Sequence, residues 1–341
     1  MRNSGQLVRL IQNAAPNRTV ALPHGPVPYR RSVPGPTSFP PALHDVILAW
    51  YGSSKRALPF RATTDPYAIL VSEAMAQQTQ AARAGEAWTG FMARFPTVES
   101  LAAATPADVL RAWQGLGYNR RALNLWRAAR RIIEAFDGRV PSDLVALQSL
   151  PGVGPYTARA VAALAFGSPV GPVDTNVRRV LGRIVAGDTE TVTPAAMQRV
   201  ADDVVPADRP GEWTHALMDV GATLCHPRRP DCAACPARPW CRYAQTGARA
   251  SRVMVAAQTA GGRARVGEGP APFRTTSGWL RGRILDRLRQ APNGEWVVLE
   301  GSIGEHDSGA VAVAASALAK DGLLELDAGT SVSVRARLPL A

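Results

Sequence analysis

The 341-residue chain carries 39 Lys and Arg against 27 Asp and Glu, a formal net charge of +12, with arginine far in excess of lysine. Its 46% hydrophobic fraction excludes a chain disordered throughout, and no apolar run approaches the ~20 residues of a bilayer-spanning helix. The basic excess points to a polyanionic partner, although a high-GC codon bias also raises Arg and Ala.

In chain order, residues 1–41 hold eight prolines and several arginines without periodicity and read as a basic, Pro-rich disordered arm. The opening MRNSGQLVRLIQNAAPNR breaks its hydrophobics with Arg and Gln, unlike a secretory signal. The expected compartment is the cytoplasm, in association with the nucleoid. There disulfides are rare and thiols remain open to metals.

Residues 42–244 are Ala/Leu-rich with helical spacing, as in LHDVILAWY, ADVLRAWQGL and RRALNLWRAARRIIEAF. Strand alternation is absent, and the spacing predicts a mainly α domain of about ten helices. Within it, Glu73 interrupts the apolar helical stretch ILVSEAMA. Burial there raises a carboxyl pKa and holds a proton near neutral pH. An ion-paired structural glutamate is the alternative.

In SDLVALQSLPGVGPYTARAVAALAF, Ser142 is a candidate cap for a helix running to about Ser149. Gly152, Val153 and Gly154 then make a hairpin, and Pro155 opens a second helix. Glycines beside a helix N-terminus leave backbone amides for a phosphate and room for a strand to approach. A plain helix connector has the same look. Asp174 follows 22 residues after Gly152, before TNVRRVLGRI, and is a candidate helix cap.

All four cysteines, Cys225, Cys232, Cys235 and Cys241, lie in CHPRRPDCAACPARPWC. Disulfides, a metal site and a reactive centre are the three possibilities. Arg228 and Arg229, between the first two, are placed for phosphate contact. Residues 245–275 read as a Gly/Ala/Arg/Thr linker. Residues 276–341 give a helix, a second helix ending at Asp321-Gly322 and a two-stranded turn, the outline of a small winged-helix-like domain. Such a unit packs on the main domain or contacts DNA.

The hairpin LPGVG with Asp174 at its distance, and the cysteine spacing, resemble the helix-hairpin-helix DNA glycosylase superfamily and its [4Fe-4S] loop. The resemblance implies a two-lobed helical fold, a six-helix lobe plus an iron-sulfur lobe. SEAMAQQTQ (72–80), LGY at Leu116–Tyr118 and RALPFR at Arg56–Arg61 narrow it to A/G-specific (MutY-like) adenine glycosylases. Such enzymes remove adenine opposite 8-oxoguanine or guanine. Glycosylases that also nick the strand carry an amine nucleophile just after the hairpin. Tyr156 stands there instead, which implies a monofunctional enzyme.

The chemistry implied is acid-assisted departure of adenine from a sugar that becomes oxocarbenium-like, a division of labour between two carboxyls. Glu73 is the implied general acid, and Asp174 the carboxylate that stabilises the sugar cation. Tyr156 and Asn176 complete the candidate catalytic set. By the same resemblance Gln78 wedges into the base stack, Thr79 and Tyr118 meet the opposite base, and Arg56, Leu58 and Arg61 line the adenine pocket. The four cysteines ligate a [4Fe-4S] cluster, and the partner is double-stranded DNA, bound by a monomer.

Three departures from the family pattern stand out. Asn119 follows Tyr118 where the family repeats Tyr; His215 replaces a Gln or Glu facing adenine; and the C-terminal Nudix-like domain is missing. His215 and the short tail leave open a thymine/uracil mismatch glycosylase of the same superfamily. The winged-helix-like unit with the four cysteines leaves open a non-catalytic DNA-binding protein stabilised by a metal.

Overall fold

The computed structural model describes residues 39–187, 192–247, 273–327 and 334–340. Eleven α-helices occupy the main part of the chain: α1 Pro41–Ser54, α2 Pro66–Ala76, α3 Ala81–Arg94, α4 Val98–Ala103, α5 Pro106–Ala112, α6 Arg120–Phe136, α7 Leu144–Gln148, α8 Pro155–Phe166, α9 Thr175–Ala186, α10 Pro194–Asp203 and α11 Pro210–Thr223. Six of them open on proline, whose missing N–H costs nothing in a first turn. Side-chain caps begin others. Asp143, one residue past Ser142, caps α7 by accepting from the Val145 and Ala146 amides, a correction to the expected cap.

The helices bury two separate hydrophobic cores. One is built from α2 to α8 around Trp113, Phe91 and Leu70. The other gathers α1, α9, α10, α11 and the cysteine loop around Trp213 and Leu181. Two lobes follow from this division, because each amphipathic helix hides its apolar stripe against only one neighbour set. Phe39 is buried beside Trp213, so the second lobe begins before the expected boundary at 41. Residues 1–38 of the expected arm and 248–272 of the expected linker lie outside the described residues.

After the turn Phe273–Thr275, two further helices, Ser277–Gln290 and Ser308–Lys320, pack on each other, with β1 Val297–Leu299 between them in sequence and β2 Glu325–Asp327 and β3 Val334–Arg337 following. The sheet is antiparallel in the order β1-β3-β2, three strands rather than the two expected. β1 escapes a pattern reading because three residues cannot display a period of two.

This unit packs on the first lobe rather than standing apart. Leu280, Ile284, Leu288 and Val311 join the first core. Polar ties reinforce the seam: Arg111 donates to the Arg289 and Ala291 carbonyls, Arg289 Nε donates to the Leu110 carbonyl over 3.0 Å, and the Ala107 amide donates to the Pro339 carbonyl.

Candidate active site

The two lobes meet where α8, packed on α2, also packs on α11, which carries α9 on its flank. Asp65 caps α2 by accepting from the Tyr67 and Ala68 amides, and almost every following residue of the helix is buried. Glu73 is carried into the interior by that helix and is 9% exposed. Its carboxyl is pushed up to about 7: burial raises it most, the hydrogen bond from Tyr156 pulls it back, and the negative charge of Asp174 raises it further. Tyr156 sits one residue into α8, so the hairpin sets its position. Burial and the two carboxyls hold its phenol well above the ordinary range, and it remains a neutral donor.

Asp174 caps α9, its Oδ1 accepting from the Val177 amide over 2.6 Å, while Oδ2 accepts from Asn176 Nδ2 over 3.1 Å. Capping leaves this carboxyl oriented at a helix N-terminus. Asn176 is fixed in turn: its Oδ1 accepts from Arg179 Nη2, and Arg179 Nε donates to the Cys225 carbonyl over 2.6 Å. Gly221 of α11 faces Asn176 so closely that a Cβ there would lie 2.6 Å from the Asn176 Cβ. Helix α9 is thereby pinned between Asp174 at its start and the cysteine loop on its flank.

Glu73, Tyr156, Asp174 and Asn176 open into one groove of 1720 Å³, which Gln78 and Tyr118 also line. Tyr118 is 65% exposed, so it is no core tyrosine. Gln78 and Tyr118 have φ of +54° and +44°; Asp137 is the only other non-glycine with positive φ among the described residues. Left-handed backbone costs a side-chain-bearing residue about 1–2 kcal/mol. Arg121 holds both in place. Its Nη1 donates to the Ala74, Met75 and Gln77 carbonyls, and its Nη2 to Thr79 Oγ1 and to the Leu116 and Gly117 carbonyls. The guanidinium also lies 5.6 Å from the Tyr118 ring centroid.

Arg56, Leu58, Arg61 and His215 are placed off the groove wall. Arg61 grips Asp219 in a two-pronged pair of 2.6 and 2.7 Å, and Arg56 adds its Nε and its amide. Asp219 is fully buried; burial opposes its ionisation, but the two arginines outweigh it and leave the carboxyl below its usual range. His215, one turn away on α11, is pushed down to about 3 by burial and then by Arg61, so its imidazole is neutral at physiological pH. Arg61 reaches Glu73 electrostatically and lowers its pKa slightly. Leu58 is half-buried and starts the short turn Pro59–Ala62. Sequence reasoning missed Arg121 and Asp219. The signal for Asp219 was an acid one turn from His215 on an otherwise apolar helix; Arg121 carried none.

In the hairpin, Gly152 has φ +81°, and a Cβ there would meet Asn124 at 2.8 Å. Open space surrounds Gly154. Between them the Val153 side chain is buried, and its amide donates to the Leu150 carbonyl. Arg228 and Arg229 are exposed on the cysteine loop.

The four cysteines are unpaired by disulfides. Burial raises the Cys235 thiol most, to about 11; the Ala237 amide pulls it back, and Cys225, Cys241 and Cys232 raise it further. Arg183 Nη1 donates to Cys225 Sγ over 3.2 Å. No group of three His, Cys, Asp or Glu among the described residues is tight enough for a single metal ion. Four unpaired thiols on one loop, one of them accepting from a guanidinium, are a donor set that suits an anionic iron-sulfur cluster.

Residues 71–206 match the family described as HhH-GPD superfamily base excision DNA repair protein. The adenine DNA glycosylase of Mycobacterium tuberculosis is 43% identical over 249 residues, 72% of this chain and 78% of that protein. The chain belongs to the adenine DNA glycosylase family. The Homo sapiens adenine DNA glycosylase is 41% identical over 216 residues, covering 60% of this chain and 40% of that protein. Among solved structures, a thermostable thymine-DNA glycosylase aligns with TM-score 0.56 and 32% identity over 59% of this chain and 94% of its own. A non-covalent endonuclease III–DNA complex shares the fold, with TM-score 0.52 and 22% identity over 61% of this chain and 95% of its own. Among the described residues, no helix is long and apolar enough to cross a membrane.

Proposed function

We propose that this chain is a monofunctional glycosylase that removes adenine standing opposite 8-oxoguanine or guanine in double-stranded DNA, acting as a monomer. The observation that carries the reading is the pairing of two carboxyls in unlike surroundings. Glu73 is buried, hydrogen-bonded by Tyr156 and half-protonated near pH 7, while Asp174 is a capped carboxylate at a helix N-terminus. One holds a proton for the departing adenine ring nitrogen; the other faces the positive charge that develops on the deoxyribose.

The target base must leave the stack before these groups can reach it. Gln78 and Tyr118, held on one wall of the same groove, are the side chains that fill the vacated space and meet the opposite base. Once adenine has departed, the ionised Glu73 takes a proton from the attacking water. Tyr156 holds the Glu73 carboxyl and supplies no amine, so the product is an intact strand with an abasic site.

Cys225, Cys232, Cys235 and Cys241 would hold a [4Fe-4S] cluster. Bound there, the cluster supplies four iron–thiolate links that fix the loop presenting Arg228 and Arg229 to a phosphate backbone.

The test is a panel of duplexes carrying A, T, U or hypoxanthine opposite G or 8-oxoguanine, with products resolved before and after alkali. Adenine release with nicking only after alkali is the expected result. Processing of T or U opposite G with A ignored would instead favour the thymine/uracil reading.

A further inference from the structure

The groove that holds Glu73 and Asp174 has a second wall, which the excision chemistry leaves unused. It is formed by the first C-terminal helix, Ser277–Gln290, and the turn before it: Phe273, Gly278, Gly282 and Arg283 line the same groove as Tyr118 and Gln78. Phe273 is 71% exposed, and it and Tyr118 are the two most exposed aromatic side chains among the described residues. A large ring kept in water along a groove is the informative kind of exposure.

Charge agrees with this. Seven arginines line the groove against four carboxylates, Glu73, Asp174, Asp286 and Asp321. Arg283 is half exposed even while paired with Asp286. Gly282 lies in the interior of the helix, where glycine costs about 1 kcal/mol relative to alanine, and Gly278 lies in its first turn. Neither is demanded by packing, since a Cβ at Gly282 would meet nothing within 4 Å and one at Gly278 only Thr276 Oγ1 at 3.8 Å. Their effect is to leave two positions of the wall without side chains, room for an outside backbone to approach.

The wall is fastened at one end of the groove. Arg289 Nη2 donates to Asn119 Oδ1 over 2.7 Å, and Asn119 is the residue after Tyr118. The C-terminal helix is therefore continuous with the loop that meets the opposite base.

We propose that this C-terminal face is a DNA-binding surface that carries the strand opposite the excised adenine, from Tyr118 along to Phe273. Arg283 takes a backbone phosphate and Phe273 stacks on a sugar or base. The inference rests on the proposed adenine reading, from which it takes the side on which Tyr118 lies. Asn119, a departure from the family pattern, is here the docking point for this second wall.

The experiment uses the full chain and a duplex with 2′-fluoro-deoxyadenosine opposite 8-oxoguanine, which resists hydrolysis. Phe273→Ala/Arg283→Ala is compared with the parent for affinity at several salt concentrations, for strand-resolved hydroxyl-radical footprint and for melting temperature. The expected result is an unchanged melting temperature, about ten-fold weaker binding, a salt slope shallower by about one, and protection lost on the strand opposite adenine. Arg283→Lys restores the salt slope. Unchanged affinity and footprint overturn the inference, as does loss confined to the adenine strand. A change in sedimentation with the footprint intact makes the face a protein interface and also overturns it. The adenine reading is judged separately, by base release from the natural duplex by the parent chain.

Discussion

Asn176 Nδ2 donates to Asp174 Oδ2 over 3.1 Å, and the same Asn176 receives Arg179, which holds the Cys225 carbonyl. The orientation of the carboxylate is thus set by a side chain two residues on, and by the loop of cysteines beyond it. Asp174→Asn is expected to abolish adenine release while leaving duplex binding intact, because an amide still caps the helix but cannot balance a sugar cation. Asn176→Ala is expected to slow release by about ten- to a hundred-fold with smaller change in binding, as befits lost positioning. Single-turnover release and gel-shift affinity, measured side by side, check both.

The raised pKa of Glu73 makes two linked predictions. As the acid in the free enzyme, it should make kcat/KM for adenine release fall about ten-fold per pH unit above its value of about 7. The same shift penalises the fold: between the ordinary carboxyl value of 4.5 and about 7 the unfolded chain ionises first, so stability declines as pH rises through that window. Glu73→Gln removes the penalty. It should lose activity yet gain about 3 kcal/mol of stability at pH 8, and no such gain below pH 4.5. Denaturant melts at the two pH values read the sign directly.

Arg121 holds two strained residues with one guanidinium. Arg121→Ala is expected to cost about 2–4 kcal/mol, since several carbonyls lose a charged donor. Duplex affinity should also fall, because Gln78 and Tyr118 relax from positive φ. Arg121→Lys keeps the charge but not the fork of donors, so it should recover stability more than affinity. Chemical melts and binding curves separate the two effects.

Asp219 is fully buried between Arg56 and Arg61. Asp219→Ala leaves the largely buried Arg61 without its counter-ion and is expected to destabilise the chain by about 3–5 kcal/mol. Arg61→Leu/Asp219→Leu should be milder than either single change, an outcome measurable as a positive coupling in a double-mutant cycle.

Purification without oxygen should yield a brown protein with a broad visible absorption band if the cysteines hold an iron-sulfur cluster, and a colourless one if they hold zinc. Cys235→Ser should lose the colour and lower the melting temperature, since Cys241 belongs to the second core and Cys235 packs against it. Iron and sulfide analysis provides the count.

Local chemistry was legible in the sequence wherever it depended on neighbours along the chain. The helical spacing, the proline starts, the turn around Gly152 and the capping place of Asp174 all depend on residues within a few positions of one another. The apolar run around Glu73 likewise announced a buried carboxyl. What the sequence by itself could not decide were relationships between distant segments. Arg121 shows no pattern, because all but one of its partners are backbone carbonyls, of Ala74, Met75, Gln77, Leu116 and Gly117, which every residue type carries. Arg56 and Arg61 were legible as a motif, but their embrace of Asp219, more than 150 residues away, was not. The C-terminal unit was visible as helices, whereas its place as a second wall beside Tyr118 depends on Arg289 meeting Asn119 across 170 residues. Periodicity and capping are encoded within a turn or two of chain; which charged side chains neutralise one another, and which faces share a groove, is decided only when packing brings the segments together.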